Sequence, residues 1–262
     1  MSAFTDRLFA SLLSLPPNRW GGLVDEVGAL RQGRLLLAWF RDPRDQQLVA
    51  RGGIDGSVRQ DPGDYIYPVD SNVAPASKLN AVTIRSLALE VGIDAVGNAR
   101  STLVVTWQNR IDTADGASYR ALPVDGTLRI LGMYFRLLVP QRSRVEEVSG
   151  GGLAPVTDPA VVQDEAGRTA IGTYLKIPPG TTTLQYTWTS PYAANADATG
   201  GTYRLTIQKQ PGLPPGPITI RIRAPEGSRI TAASPELQVS GALATLTATF
   251  DRDIVIGVQY GR

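Results

Sequence analysis

The segments TTLQYTWTS (182–190), TYRLTI (202–207), ITIRIR (218–223), ATLTATF (244–250) and IVIGVQY (254–260) decide the fold. Leu184, Tyr186 and Trp188 share one side of the first, and Gln185, Thr187 and Thr189 the other. Tyr203, Leu205 and Ile207 oppose Arg204 and Thr206. Ile218, Ile220 and Ile222 oppose Thr219, Arg221 and Arg223. Ala244, Leu246, Ala248 and Phe250 oppose three threonines, and Ile254, Ile256, Val258 and Tyr260 oppose Val255, Gly257 and Gln259. Successive strand residues point to opposite faces, so this period of two marks sheets with one dry face and one wet face. Antiparallel sheets carry that pattern; parallel sheets covered on both sides do not.

The same rhythm extends towards the N-terminus as far as Ala81. Leu103, Val105 and Trp107 form one strand pattern, Met133, Phe135, Leu137 and Val139 another, and Ile171, Leu175 and Ile177 a third. Val82 and Ile84 alternate, but the phase then slips by one residue before Leu87, Leu89 and Val91, which predicts a bulge at Arg85-Ser86. Residues 111–127 read as an exposed polar loop, and Asp164-Glu165-Ala166-Gly167 as a hairpin turn. The expected architecture is mainly β: one or two antiparallel, immunoglobulin-like or fibronectin-like sandwiches.

Residues 1–62 are of another kind and predict a mixed α/β segment, the tail of an upstream domain or a layer against the sheets. Phe4, Leu8, Phe9, Leu12, Leu13 and Leu15 make a helical stripe starting near Thr5 or Asp6 and ended by Pro16-Pro17. A second helix covers Leu23 to Leu30, Arg34 to Phe40 reads as a buried strand, and Asp42-Pro43 caps a short helix. Trp20 and Trp39 are expected in a core. Residues 63–211 form the main sandwich. The Pro/Gly-rich run 210–217 then leads into a smaller β-unit, 212–262, packed on the sandwich or completing it.

Composition removes whole classes of chemistry. The 262 residues include no Cys and no His. Thiol nucleophiles, disulfides, Cys/His zinc sites and His-based triads are therefore excluded. A formal charge of +2, with no basic run, gives no ground for nucleic-acid binding. No stretch reaches the roughly 18 apolar residues of a membrane span, and residues 1–15 lack the marks of a signal peptide. Any signal or anchor is expected from a segment outside this chain. No cofactor is implied.

Asp70, Ser71, Asn72, Lys78 and Asn80 form the densest polar group and are the candidate ligand-binding residues. Their oxygens suit a hard cation or a small polar ligand. A Lys–Asn isopeptide bond is another option and would need burial beside a carboxylate. The alternative is a structural loop whose Asp and Asn side chains cap turns. Glu146-Glu147 and Asp164-Glu165 could supply an acid/base pair, but neighbours on a strand face opposite ways, so neither doublet is a pair by itself. Trp107, Trp188, Tyr186 and Tyr203 could be a sugar-stacking platform, although their alternation favours the core.

The ordered set RLLLAWFRDPRDQQLVARGGIDG (34–56), GDYIYPVDSNVAPASKLNAVTIRS (63–86), LVVTWQNR (103–110), YFRLLVPQRSRVEEVSG (134–150), EAGRTAIGTYLKIPPGTTTLQYTW (165–188) and YRLTIQKQPG (203–212) resembles the C-terminal half of the bacterial family catalogued as domain of unknown function 4012. Val73-Ala74-Pro75-Ala76 stands where that family has a glycine-rich loop. The resemblance implies an extracytoplasmic protein of the cell envelope, anchored through an N-terminal segment absent from this chain, with an envelope protein or glycan as partner. A cytoplasmic location is the alternative. The expected role is a non-catalytic structural or interaction module. The alternatives are an envelope polysaccharide-assembly enzyme using carboxylates, or a carbohydrate- or cation-binding module.

Overall fold

The structure is a computed structural model describing residues 7, 10–11, 14–73, 78–113, 129–156 and 161–261. The helical stripe of Phe4 to Leu13 with its cap at Thr5 or Asp6, and most of the loop expected over 111–127, lie outside the described residues. The chain forms two compact units, Met1–Ser57 and Val58–Arg262.

In the first unit, helix α1 spans Trp20–Gln32 and helix α2 spans Pro43–Arg51. Asp42 caps α2 as expected: its Oδ1 accepts from the Arg44 amide at 2.8 Å, and Pro43 occupies the first helical position, where no amide donor is needed. Residues 34–40 do not form the expected strand, and no partner strand stands among the described residues of this unit. Leu35, Leu37 and Phe40 are exposed instead. Trp20 and Trp39, expected in a core, are 41% and 73% exposed. So short a segment cannot enclose a core of its own, and among its described residues no apolar side chain is buried.

Among its described residues the second unit holds sixteen strands: β1 (Asp64–Asn72), β2 (Thr83–Ile93), β3 (Ala99–Asn109), β4 (Leu131–Pro140), β5 (Arg144–Gly150), β6 (Leu153–Val156), β7 (Val161–Glu165), β8 (Arg168–Ile177), β9 (Gly180–Ser190), β10 (Ala194–Ala196), β11 (Gly200–Ile207), β12 (Gly216–Arg223), β13 (Arg229–Ala233), β14 (Gln238–Ser240), β15 (Leu243–Phe250) and β16 (Ile254–Gly261). They form two eight-stranded sheets. The first runs β13-β16-β11-β1-β4-β8-β7, with β10 also on β11; the second runs β14-β15-β12-β2-β3-β9-β5-β6. One core fills the space between them. Trp107 of β3 meets Phe135 of β4 edge-on, ring centres 5.2 Å apart, and Phe135 meets Tyr186 of β9 at 5.6 Å.

The protein is thus mainly β and built as a two-sheet sandwich. It departs from the all-antiparallel, immunoglobulin-like expectation at two pairings. β1 runs parallel to β11, and β12 runs parallel to β2. Alternation reports only that a strand has a wet face, and parallel partners here are joined by long stretches of chain. The crossover after β11 passes from the first sheet to β12 in the second, and β13 to β16 then complete both sheets around the shared core. No helix among the described residues is long and apolar enough to cross a membrane.

Two local expectations can be settled. Asp164 and Glu165 do end a hairpin: Ala166 and Gly167 both take positive φ, 51° and 71°, the left-handed pair that a two-residue turn between β7 and β8 requires. The bulge at Arg85-Ser86 does not exist. β2 and β3 pair without interruption from Thr83–Asn109 to Ile93–Ala99. Arg85 occupies an inward position, in register with Leu87 and Leu89, and is buried.

Candidate functional site

The inward Arg85 meets one member of the polar group at 70–80, Asp70. Asp70 lies near the end of β1, and its side chain points between the sheets, as Ile66 does two pairs earlier. Arg85 Nη1 donates to Asp70 Oδ1 at 3.2 Å and to the Pro68 carbonyl at 3.3 Å. Trp107 Nε1 donates to the other carboxylate oxygen at 3.4 Å. The Asp70 and Arg85 side chains are only 7% and 6% exposed. A buried ion pair seldom repays the loss of its hydration, so it is weak evidence for a stabilising role.

The crossover closes the site. The parallel pairing of β1 with β11 stops near Ile66, which leaves the Asp70 peptide without a strand partner on that side. The Gln210 side chain replaces one. Its Oε1 accepts from the Asp70 amide at 2.7 Å, and its Nε2 donates to the Asp70 carbonyl at 2.8 Å. Lys209 holds the turn that follows, its ammonium donating to the carbonyls of Leu213 at 2.7 Å and Gln210 at 3.2 Å. At Gly216 the Arg85 carbonyl occupies the place a Cβ would take, so only glycine lets β12 approach β2 there.

Between the crossover and the sheets is a pocket of about 190 Å³. Asp70, Arg85 and Trp107 form its inner end, Asn72, Asn80 and Thr83 its polar wall, and Leu131, Met133 and the residues Pro211–Pro215 its apolar wall. Of the five candidates from sequence, the structure brings together Asp70, Asn72 and Asn80. Ser71 points to the opposite face of β1, beside Tyr134 of β4, as strand alternation requires. Lys78 stays exposed, outside the pocket lining, so the burial that an isopeptide bond needs is not met. Nor does the pocket suit a hard cation: its single carboxylate is already committed to a guanidinium, and among the described residues no three acidic side chains gather to hold a metal.

Sequence reading missed Arg85 and Gln210. The signal for Arg85 was present as the phase slip before Leu87: a charged residue was standing in an inward register. Trp107, Trp188, Tyr186 and Tyr203 are all buried in the core, so they form no exposed sugar platform. The acidic doublets do not converge. Glu146 is held by Arg100 at 2.9 Å, Arg144 at 3.0 Å and Thr189 at 2.7 Å, which together pull its carboxyl below the ordinary value, the Thr189 bond most strongly. Glu165 accepts from Arg136 through both oxygens, at 2.8 and 2.9 Å, and Asp164 accepts from Gln141.

A second buried carboxylate lies between the sheets. Asp64, at the start of β1, is fully buried. It accepts from Tyr203 at 2.7 Å, from the Tyr65 amide at 2.9 Å and from Ser190 at 3.2 Å; Ser190 in turn accepts from the Trp188 indole N–H at 3.2 Å. Burial outweighs these bonds and pushes the carboxyl up to about 6.

Compared with known proteins, no family model and no curated protein matches the chain. Among solved structures it is similar to a candidate nutrient-binding protein of Legionella pneumophila, with a TM-score of 0.48 and 10% identity over 76% of this chain and 71% of that one. It is also similar to an M1 zinc metallopeptidase of Deinococcus radiodurans (TM-score 0.31, 17% identity, 68% of this chain and 41% of that one) and to leukotriene A4 hydrolase of Saccharomyces cerevisiae (TM-score 0.37, 9% identity, 71% and 31%). The chain thus spans less than half of either of these two enzymes. Scores and identities this low carry no information on activity or ligand.

Proposed function

We propose that the sandwich is a non-catalytic binding module whose pocket, under the 210–215 crossover, takes one small polar ring such as a sugar unit of an envelope glycan. The observation that carries this reading is the commitment of both Asp70 oxygens, one to Arg85 and one to Trp107. A glycosidase needs two carboxyl groups about 5–10 Å apart, one of them free to hold or release a proton. This pocket has one, and it is neutralised. The rest of the lining comprises Asn72 and Asn80, Thr83, whose hydroxyl donates to the Leu79 carbonyl at 2.8 Å and can still accept, and an apolar wall, a set that can meet hydroxyl groups and does no chemistry on them. Its volume of about 190 Å³ is below the roughly 300 Å³ at which drug-sized ligand sites begin, and so suits a single ring.

The resemblance to the envelope family of unknown function supplies the setting: a module on the outer side of a bacterial membrane, displayed by a segment beyond this chain. The test is calorimetric titration of the purified protein with the monosaccharides and disaccharides of envelope glycans. We expect saturable binding to at least one, lost on Asn72→Leu, with no turnover. Silence towards every saccharide would end the sugar reading. Glycan cleavage abolished by Asp70→Asn would replace it with an enzyme.

A further inference from the structure

The outer face of the second sheet carries a different feature. In one row across the strands, Arg223 of β12, Gly92 of β2 and Arg100 of β3 are direct neighbours. The next row holds Thr245, Arg221, Glu90 and Thr102. All are on the wet side. With strands about 4.8 Å apart, the two outer arginines start about 10 Å from each other, and the residue between them has no side chain. The result is a slot of about 440 Å³ with Gly92 as its floor.

The cations around the slot are unevenly occupied. Arg100 donates to Glu146 at 2.9 Å and is 63% exposed; Arg221 donates to Glu90 at 3.0 Å and is 57% exposed. The Arg221 pair is exposed on both sides, and such pairs are held weakly and exchange with other anions at little cost, whereas Glu146 is only 18% exposed and occupies Arg100 through its Nε alone. Arg223 is exposed and has no acidic partner among the described residues. The lining therefore holds three guanidinium groups against one carboxylate, with Thr102 and Thr245 hydroxyls beside them and Leu243 at the rim.

Gly92 itself is informative. Its backbone is not in the left-handed region, and a Cβ there would meet only the Arg100 carbonyl, at 3.9 Å, an ordinary contact. Neither the turn chemistry nor the packing of this strand asks for glycine, and strand interiors disfavour it. What its missing side chain provides is the gap between two guanidinium groups.

We propose that this slot binds the carboxylates of an acidic polysaccharide. Guanidinium groups grip carboxylates through paired parallel hydrogen bonds. Farther along the face the half-buried Thr106 and the exposed Thr183, opposite one another, offer hydroxyls to a chain of sugars, whereas Thr187, opposite Thr102, is buried. A peptide partner would want apolar anchors, and the slot offers only the rim of Leu243. The site is separate from the pocket under the crossover, which opens between the sheets, so either can fail alone.

The test is affinity electrophoresis and calorimetry of the full chain with polygalacturonate, with its methyl ester, with polyglutamate and with a single-stranded oligonucleotide. Binding to polygalacturonate is expected to weaken as salt rises and to vanish with the ester. Gly92→Val, which fills the slot in a residue type that strands favour, and Arg223→Gln should each weaken it by about tenfold or more, at unchanged melting temperature. Glu90→Gln removes the carboxylate that lines the slot and should tighten binding, a gain that partial unfolding cannot imitate. Equal binding of polyglutamate or the oligonucleotide would show that the face reads charge alone, and would overturn the proposal. So would no binding to polygalacturonate, or binding indifferent to all three substitutions.

Discussion

Asp64→Asn should change how stability depends on pH, and the structure gives both sign and size. The carboxyl is fully buried between the sheets, with no cation within hydrogen-bonding distance among its partners Tyr203, Ser190 and the Tyr65 amide. Burial raises it from the ordinary 3.8 to about 6 in the folded protein. In the unfolded chain it returns to the ordinary value. Folded Asp64 thus binds its proton more tightly than unfolded Asp64. The stabilisation this gives is complete below about pH 3.8, declines through the interval to about 6, and is gone above it. Near neutral pH the folded protein holds a buried carboxylate whose three hydrogen bonds and the charge of Arg168 do not make up for its lost hydration, at a cost of about 3 kcal/mol relative to acid.

Asparagine keeps the shape but cannot ionise. Its carbonyl can accept from Tyr203 and its amide can donate to the Ser190 oxygen. How well it does so sets the absolute stability of the variant but not its slope with pH. The quantity to measure is therefore the difference in urea-unfolding free energy between native protein and variant, from pH 4 to pH 8. This cancels Glu146 and Asp251, whose lowered values act in the opposite direction in both proteins. The native protein should lose about 2.5 kcal/mol relative to the variant across that range, most of it before pH 6.5. A flat difference, or one that favours the native protein as pH rises, would refute the argument that dehydration dominates at this carboxylate.

Removing one partner of the Asp70–Arg85 pair strands a buried charge, so Asp70→Ala and Arg85→Ala should each cost about 3–5 kcal/mol in denaturant unfolding, whereas Asp70→Leu combined with Arg85→Met should cost far less than their sum. Gln210→Ala leaves the Asp70 peptide unpaired on its open side; a loss of about 1–3 kcal/mol and faster hydrogen exchange at the Asp70 amide are expected. Gly216→Ala drives a methyl group into the Arg85 carbonyl and should lower the melting temperature by the equivalent of about 1–3 kcal/mol, while Gly92→Ala, with open space above it, should stay within about 0.5 kcal/mol of the native protein.

Much of the sandwich could be read from single strands because each strand's side chains record which way is dry. Leu184, Tyr186 and Trp188 are buried, and Ile218, Ile220 and Ile222 likewise, in the phase their sequence shows. What a strand does not record is its neighbour. Nothing in the residues of β1 says that Asp64–Ile66 will lie parallel to Leu205–Ile207, because pairing depends on backbone groups that every residue carries. The three-residue strands β10 and β14 are too short for a period of two to register. In the first unit the apolar run 34–40 had the composition of a buried strand, but composition cannot supply the partner that burial requires.

The candidate site shows the same limit from the other side. Five polar residues near one another in sequence were grouped as a site, yet a strand divides adjacent residues between two faces, so Ser71 could never share a pocket with Asp70 and Asn72. The residues that complete the pocket are distant: Arg85 is fifteen positions from Asp70 and Gln210 is 140. Arg85 could have been found, since a charge that keeps inward register with Leu87 and Leu89 must be buried and must then find a counter-charge. Gln210 offered no such clue. Its amide imitates a peptide group at the edge of β1, and any glutamine in a proline-rich crossover would look the same until the fold had placed it there.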